Sequence, residues 1–156
     1  AIILQSNSVQ LNRNRCWLDI WTLDDVVRRI ENPPINAAAQ AERLLKIWRG
    51  PFTTHLEHPL VLKKRESLTA KFARTIEKLG LILEKSGFRE QAIDCYVRAV
   101  EAEPLAETLH YRLIVCLKNE NRLADAVLAY RRCRIAFTAE SGLTLSQTFI
   151  DLGESL

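Results

Sequence analysis

The sequence predicts an all-α fold of antiparallel helix hairpins, with capping helices and a short β-hairpin at its start. Three observations predict it. Glycine and proline number five each in 156 residues, too few for the tight turns of an all-β domain or for a glycine-rich phosphate loop. From Thr22 onward, apolar residues recur at helical spacing between capping and stop residues. A block of the chain also repeats itself after 34 residues.

A hydrophobic content of 47% suits one ordinary domain with its own core. The 22 basic and 19 acidic residues leave a charge of +3, too mild to imply a polyanionic partner. Basic runs occur at Lys63-Lys64-Arg65 and Arg131-Arg132-Cys133-Arg134. Both stand in helical pattern with acids nearby and read as solvated faces, with direct nucleic-acid binding the weaker alternative. Cys16, Cys95, Cys116 and Cys133 show no CxxC spacing, and three of them occupy apolar helical positions. They read as small hydrophobes in a reducing, cytoplasmic compartment. No apolar run approaches the ~18 residues of a membrane span, and no membrane contact is expected. The chain opens at Ala1 and contains no methionine, which suggests a fragment of a longer protein.

Residues 1–19 read as a β-hairpin and junction. Ile2-Ile3-Leu4 and Val9-Gln10-Leu11 flank the polar turn Gln5-Ser6-Asn7-Ser8, and Asn12-Arg13-Asn14-Arg15 leads into Cys16-Trp17-Leu18-Asp19. A lone two-stranded hairpin is marginal in water, so this piece is expected to pack on a neighbour. Residues 20–156 read as a helical domain. Thr22 with Asp25 forms a capping box ahead of Val26, Val27 and Ile30, and Asn32-Pro33-Pro34 ends that helix. Asn36 caps the next helix, with Ala41, Leu44, Leu45 and Trp48 on one face and Gly50-Pro51 as its stop. After a loop over 51–58, Pro59 opens a long helix reaching about Lys85. At the far end, past the Glu140-Ser141-Gly142 turn, Thr144 or Ser146 caps a short helix through Leu156.

The repeat pairs Leu79 with Leu113, Leu83 with Leu117, Ala92 with Ala126, Tyr96 with Tyr130 and Ala99 with Cys133. This 34-residue period and these residue types are those of the tetratricopeptide hairpin, in copies 73–106 and 107–140. Gly80 and Ala92 are expected to face one another where the helices cross. Tyr96 is expected to fill the groove towards the next hairpin, with Gly87 in the turn and Pro104 at the end. The second copy has Ile114 for Gly80, Asn121 for Gly87 and Thr138 for Pro104; asparagine tolerates the left-handed turn. Residues 39–72 do not fit the template and are expected to pack as an irregular cap. Two repeats cannot close a core, so residues 20–70 and the final segment must supply the missing faces.

Cys16-Trp17-Leu18-Asp19-Ile20-Trp21 resembles the leading segment of the bacterial transcriptional activator domain, found in antibiotic regulatory proteins and related bacterial regulators. Arg49-Gly50-Pro51-Phe52 is similar to that family's Arg-Gly-Pro-Phe turn, and Leu60 to Leu68, with Arg65 inside, resembles the start of its long third helix. Gly87, Ala92, Tyr96 and Pro104, then Ala126 and Tyr130, continue the likeness. Gly142-Leu143-Thr144-Leu145-Ser146-Gln147-Thr148 resembles the closing turn and helix. There the family usually has proline before the serine and one more residue before the threonine, and Leu145 departs from this. The resemblance runs from about Val9 to Leu156. It implies a non-enzymatic regulatory domain that mediates self-association or protein contacts, with DNA bound only through a winged-helix domain absent from this chain. Residues 1–11 then look like the junction to that domain. A free-standing tetratricopeptide adaptor holding a peptide is the alternative.

No serine or cysteine stands in a recognisable nucleophile setting, so neither an enzyme nor a cofactor is expected. Asp24-Asp25 are read as first-turn carboxylates favoured by the helix dipole. His55 and His58 form an HxxH without a third ligand, so no metal is expected. His110 reads as a packing or surface residue. Trp17, Trp21, Trp48 and Phe52 are expected to cluster in the core, with one exposed tryptophan as a docking anchor the alternative. The repeat template puts Arg74, Glu77, Lys78, Leu81 and Lys85 in a concave groove, with Tyr111, Arg112, Val115, Lys118 and Asn119 from the second copy. Such a basic, partly apolar groove suits an acidic amphipathic protein segment, unless it is merely solvated or filled by the chain's own ends. Lys78 and Arg112 stand where co-chaperone relatives carry carboxylate-gripping asparagines, which argues against a terminal-carboxylate ligand.

Overall fold

The computed structural model describes residues 2–5, 8–32, 35–51, 56–140 and 142–156. Ser6-Asn7, Pro33-Pro34, Phe52, His55 and Ser141, each part of an expectation above, lie outside the described residues. Strand β1 (Ile2–Gln5) pairs antiparallel with β2 (Ser8–Leu11), with Ile2 opposite Leu11. Ile2, Ile3, Leu4 and Leu11 are exposed on it.

Seven helices follow among the described residues: α1 (Asp19–Ile30), α2 (Ala37–Ile47), α3 (Pro59–Lys85), α4 (Arg89–Ala102), α5 (Glu107–Asn119), α6 (Leu123–Ala139) and α7 (Gln147–Glu154). Their ends follow local chemistry. The Asn36 side chain accepts the Ala39 N–H at 3.0 Å, Pro59 opens α3, and Ser146 accepts the Phe149 N–H at 3.3 Å. Gly87 (φ +83°) and Asn121 (φ +56°) take the left-handed turn at equivalent places in the two hairpins. Helix α1 departs from expectation by starting at Asp19, a turn before the Thr22–Asp25 box. Asp19 accepts the Ile20 N–H at 2.7 Å, while Thr22 is buried inside the helix beside Leu23 and Val26. Asp24 and Asp25 therefore sit beyond the first turn and instead pair with Lys71 and with Arg28 and Arg43.

The helices alternate between two layers. α1, α3, α5 and α7 neighbour one another in one layer, and α2, α4 and α6 make the other, each helix packing on the next in sequence through α6. Residues upstream of 73 lack the repeat's residue types, yet α1 and α2 join the same alternation. Leu44 and Val26 are buried there, and the Trp48 ring stacks on Phe72 with centroids 4.3 Å apart. One continuous core runs from Leu23 to Phe149, so both flanks supply the faces that two hairpins alone would leave wet.

The closest approach lies at Gly80. A Cβ built there would stand 2.3 Å from Tyr96 Cζ, so the glycine makes room for the tyrosine ring, where sequence reading had set Ala92. Tyr96 is fully buried and donates its hydroxyl to Glu84 Oε1 at 2.8 Å within the same hairpin. In the second hairpin Ile114 is itself buried at the position equivalent to Gly80. Tyr130 lies instead on α7, where a Cβ on Gly153 would be 2.1 Å from its Cζ, and it stacks on Phe149 at 5.3 Å.

Gly80→Ala is expected to destabilise the fold in spite of alanine's better helix propensity, worth about 1 kcal/mol. Overpacking against a locked ring costs about 1–3 kcal/mol, and a denaturant midpoint reads the net loss. Gly153→Ala should lose less, because the half-buried Tyr130 has space to swing.

Glu103 gives a second test. Its buried carboxylate accepts the Trp48 Nε1–H at 2.8 Å, and burial pushes its pKa up more than that bond lowers it. A carboxyl raised in the folded state favours folding below its unfolded pKa, and that contribution is lost as pH rises through the folded pKa. Glu103→Gln keeps the acceptor without the charge. Its urea midpoint should exceed the parent's at neutral pH and match it near about pH 4; a lower midpoint at neutral pH would show that the ionised bond outweighs burial.

Candidate functional site

The ten groove residues expected from the repeat lie on α3 and α5, neighbours in one layer, and the structure divides them. Arg74 and Lys78, about one turn apart on α3, are exposed and have no ion-pair partner among the described residues. With Lys71, Thr75 and the half-buried Val27 and Ile30 of α1 they line a hollow of about 240 Å³. Lys71 is tied to Asp24, so the open positive charge of this hollow belongs to Arg74 and Lys78.

Glu77 is engaged. Its Oε1 accepts Arg112 Nε–H at 2.8 Å across the α3–α5 contact, with both side chains mostly shielded from water. Leu81 is half-buried and Lys85 exposed at the end of α3. On α5, Tyr111 packs against the core, Val115 is half-buried and Asn119 is exposed. Lys118 Nζ donates to the Ser155 carbonyl at 3.2 Å and to its Oγ at 2.9 Å, just past α7. Ser146, at the head of α7, donates its N–H to Glu107 Oε2 at 2.8 Å. The C-terminal helix thus borders the second-copy half, while the first-copy half stays open beside α1. Sequence reading missed Val27 and Ile30 as walls of the hollow, because their helical spacing assigns them to the core and does not show which core positions stay half-open.

Other expectations resolve differently. The tryptophans do not cluster: Trp17 is 62% exposed, Trp21 lies under the Arg13 guanidinium at 4.8 Å, and Trp48 faces Phe72 from the end of α2. His58 Nδ1 accepts the Leu60 N–H at 3.3 Å and so caps α3. Lys63 and Lys64 are exposed on the first turns of α3, and Arg65 Nη2 donates to the Leu56 carbonyl at 3.1 Å. Arg131, Arg132 and Arg134 lie on α6 in the other layer. Burial pushes the Cys95 and Cys133 thiols up to about 12 and Cys116 up to about 11, so none is a thiolate near neutral pH. Among the described residues no group of three or more His, Cys, Asp or Glu side chains is placed to share a metal, and no helix is long and apolar enough to cross a membrane.

The family model of the bacterial transcriptional activator domain matches residues 22–156. The chain belongs to this family, and is a transcription regulator domain of helical, tetratricopeptide-like build. No curated protein and no solved structure matches it.

Charge reversal separates the two halves of the groove. Arg74→Glu and Lys78→Glu should each leave stability within about 0.5 kcal/mol of the parent, since neither cation has a partner to lose. Arg112→Glu sets a carboxylate against Glu77 in a shielded place and should cost about 1–3 kcal/mol. Thermal melts of the three variants check both statements, and equal losses would remove the distinction.

Proposed function

We propose that this domain holds an acidic amphipathic segment of a protein partner on its α1–α3 face. It thereby couples association to transcription control exerted through a DNA-binding domain elsewhere in the full-length regulator. The observation that carries the reading is the pair Arg74 and Lys78, both unpaired, beside the apolar Val27 and Ile30. Two cations about one turn apart above an apolar floor complement a segment with carboxylates at one-turn spacing and Leu or Val between them. The second-copy half contributes less, because Arg112 is spent on Glu77 and Lys118 on Ser155. The same engagement of Arg112 weighs against a grip on a terminal carboxylate.

Two measurements test the reading. Calorimetry with a peptide bearing glutamates at i and i+4 and leucines between should show saturable binding, weakened about tenfold or more in Arg74→Glu/Lys78→Glu. Light scattering coupled to size exclusion then assigns the segment. A dimer dispersed by the double variant places it in a second copy, and a monomer that still binds the peptide places it in another protein. Neither a dimer nor peptide binding, or binding indifferent to the double variant, overturns the proposal.

A further inference from the structure

The layer opposite the α1–α3 face is unevenly closed. Helix α2 packs on α4, with Glu42 paired to Arg98, but α4 and α6 barely meet. Between them lies a cavity of about 370 Å³, within the range of small-molecule sites. Its walls are apolar: Val97 and Val100 from α4, Leu128 and Ala129 from α6, and Leu113 beneath from α5.

One wall residue is chemically unfinished. The His110 ring borders the cavity, is 4% exposed, and places Nε2 2.9 Å from the Pro104 carbonyl. A carbonyl only accepts, so Nε2 carries the proton and donates, and Nδ1 is left with its lone pair. Burial lowers the imidazole pKa and keeps the ring neutral. Nδ1 is then a buried acceptor with no donor among the described residues, an arrangement that folded proteins rarely leave unfilled. At the mouth, Arg122 is already tied to Asp125 and Glu90, and the exposed Glu101 and Arg132 are of opposite sign, so the rim does not favour a charged occupant.

We propose that the gap between α4 and α6 binds a small, uncharged, largely apolar molecule whose hydroxyl or N–H group donates to His110 Nδ1. The apolar walls contribute non-directional affinity, and the single acceptor sets orientation and selects for a donor. The site is separate from the α1–α3 face and does not depend on what that face binds. It gives a regulator of this build a place to register a small molecule, because an occupant fills a gap in a layer that is otherwise packed.

The experiment titrates the intact chain with 2-naphthol, followed by the probe's own fluorescence, with 2-methoxynaphthalene as the partner that lacks the donor. Expected is saturable one-to-one binding of 2-naphthol, with the methoxy compound weaker by about tenfold, as loss of one hydrogen bond implies. Leu128→Trp, at an exposed position on the rim, should fill the gap and weaken 2-naphthol about tenfold or more while leaving the thermal midpoint close to the parent's. His110→Phe should level the two probes. Should that variant fail to fold, the nitrogen resonance of His110 Nδ1 in the parent, expected to move upfield with 2-naphthol alone, replaces it. Absence of saturable binding, equal affinity for both probes, or indifference to Leu128→Trp each overturns the proposal. Arg74→Glu/Lys78→Glu should bind 2-naphthol as the parent does, so the two proposals fail independently.

Discussion

The contact between Gly80 and the Tyr96 ring sets the spacing on which the helix stack depends. The ring occupies the space of a missing side chain and its hydroxyl returns to Glu84 on the same helix, so α3 and α4 approach as closely as two backbones with one ring between them allow. Everything stacked on either side inherits that geometry. The next hairpin cannot repeat the device, because Ile114 fills the place of the glycine. The chain transfers it to α7, where Gly153 receives Tyr130. The short C-terminal helix is thereby part of the packing unit, and its burial of Phe149 closes the core.

The charged residues divide by the same logic. Where neighbouring helices meet, cations and carboxylates pair across the contact: Lys71 with Asp24, Arg98 with Glu42, Arg112 with Glu77. Such pairs at partly shielded positions contribute modestly to stability and more to register, since a slipped helix would separate the partners. Arg74 and Lys78 are exceptions on the same helix. With no structural partner, their charge is available to something outside the chain, which is why the α1–α3 face carries the functional reading.

The two layers are thus complementary in character. The face of α1 and α3 is shallow, basic and open, suited to an extended or helical protein segment. The gap between α4 and α6 is deeper and apolar and holds one unmet hydrogen-bond acceptor, which suits a small molecule. Both are consequences of the stacking: side chains at equivalent places face similar surroundings, and departures from the repeat decide where the surface closes and where it stays open.

The sequence alone determined the helical class, the 34-residue period and most helix ends, because these rest on local chemistry. Asn36, Pro59, Gly87, Asn121 and Ser146 act within a few residues of themselves, and their neighbours in sequence are their neighbours in space. The family likeness was legible for the same reason, in short runs around such turns. Contacts between distant residues were not legible. Trp48 could be assigned to an apolar face, but its choice of Phe72 over Trp17 and Trp21 depends on how α2 lies across α3. Thr22 looks like a cap until the helix is seen to start at Asp19 and bury it. The groove residues were found from the repeat template, yet only tertiary structure decided which cations are spent on Glu77, Asp24 and Ser155 and which remain free. That outcome depends on side chains tens of residues apart meeting at angstrom distances, and no local pattern encodes it.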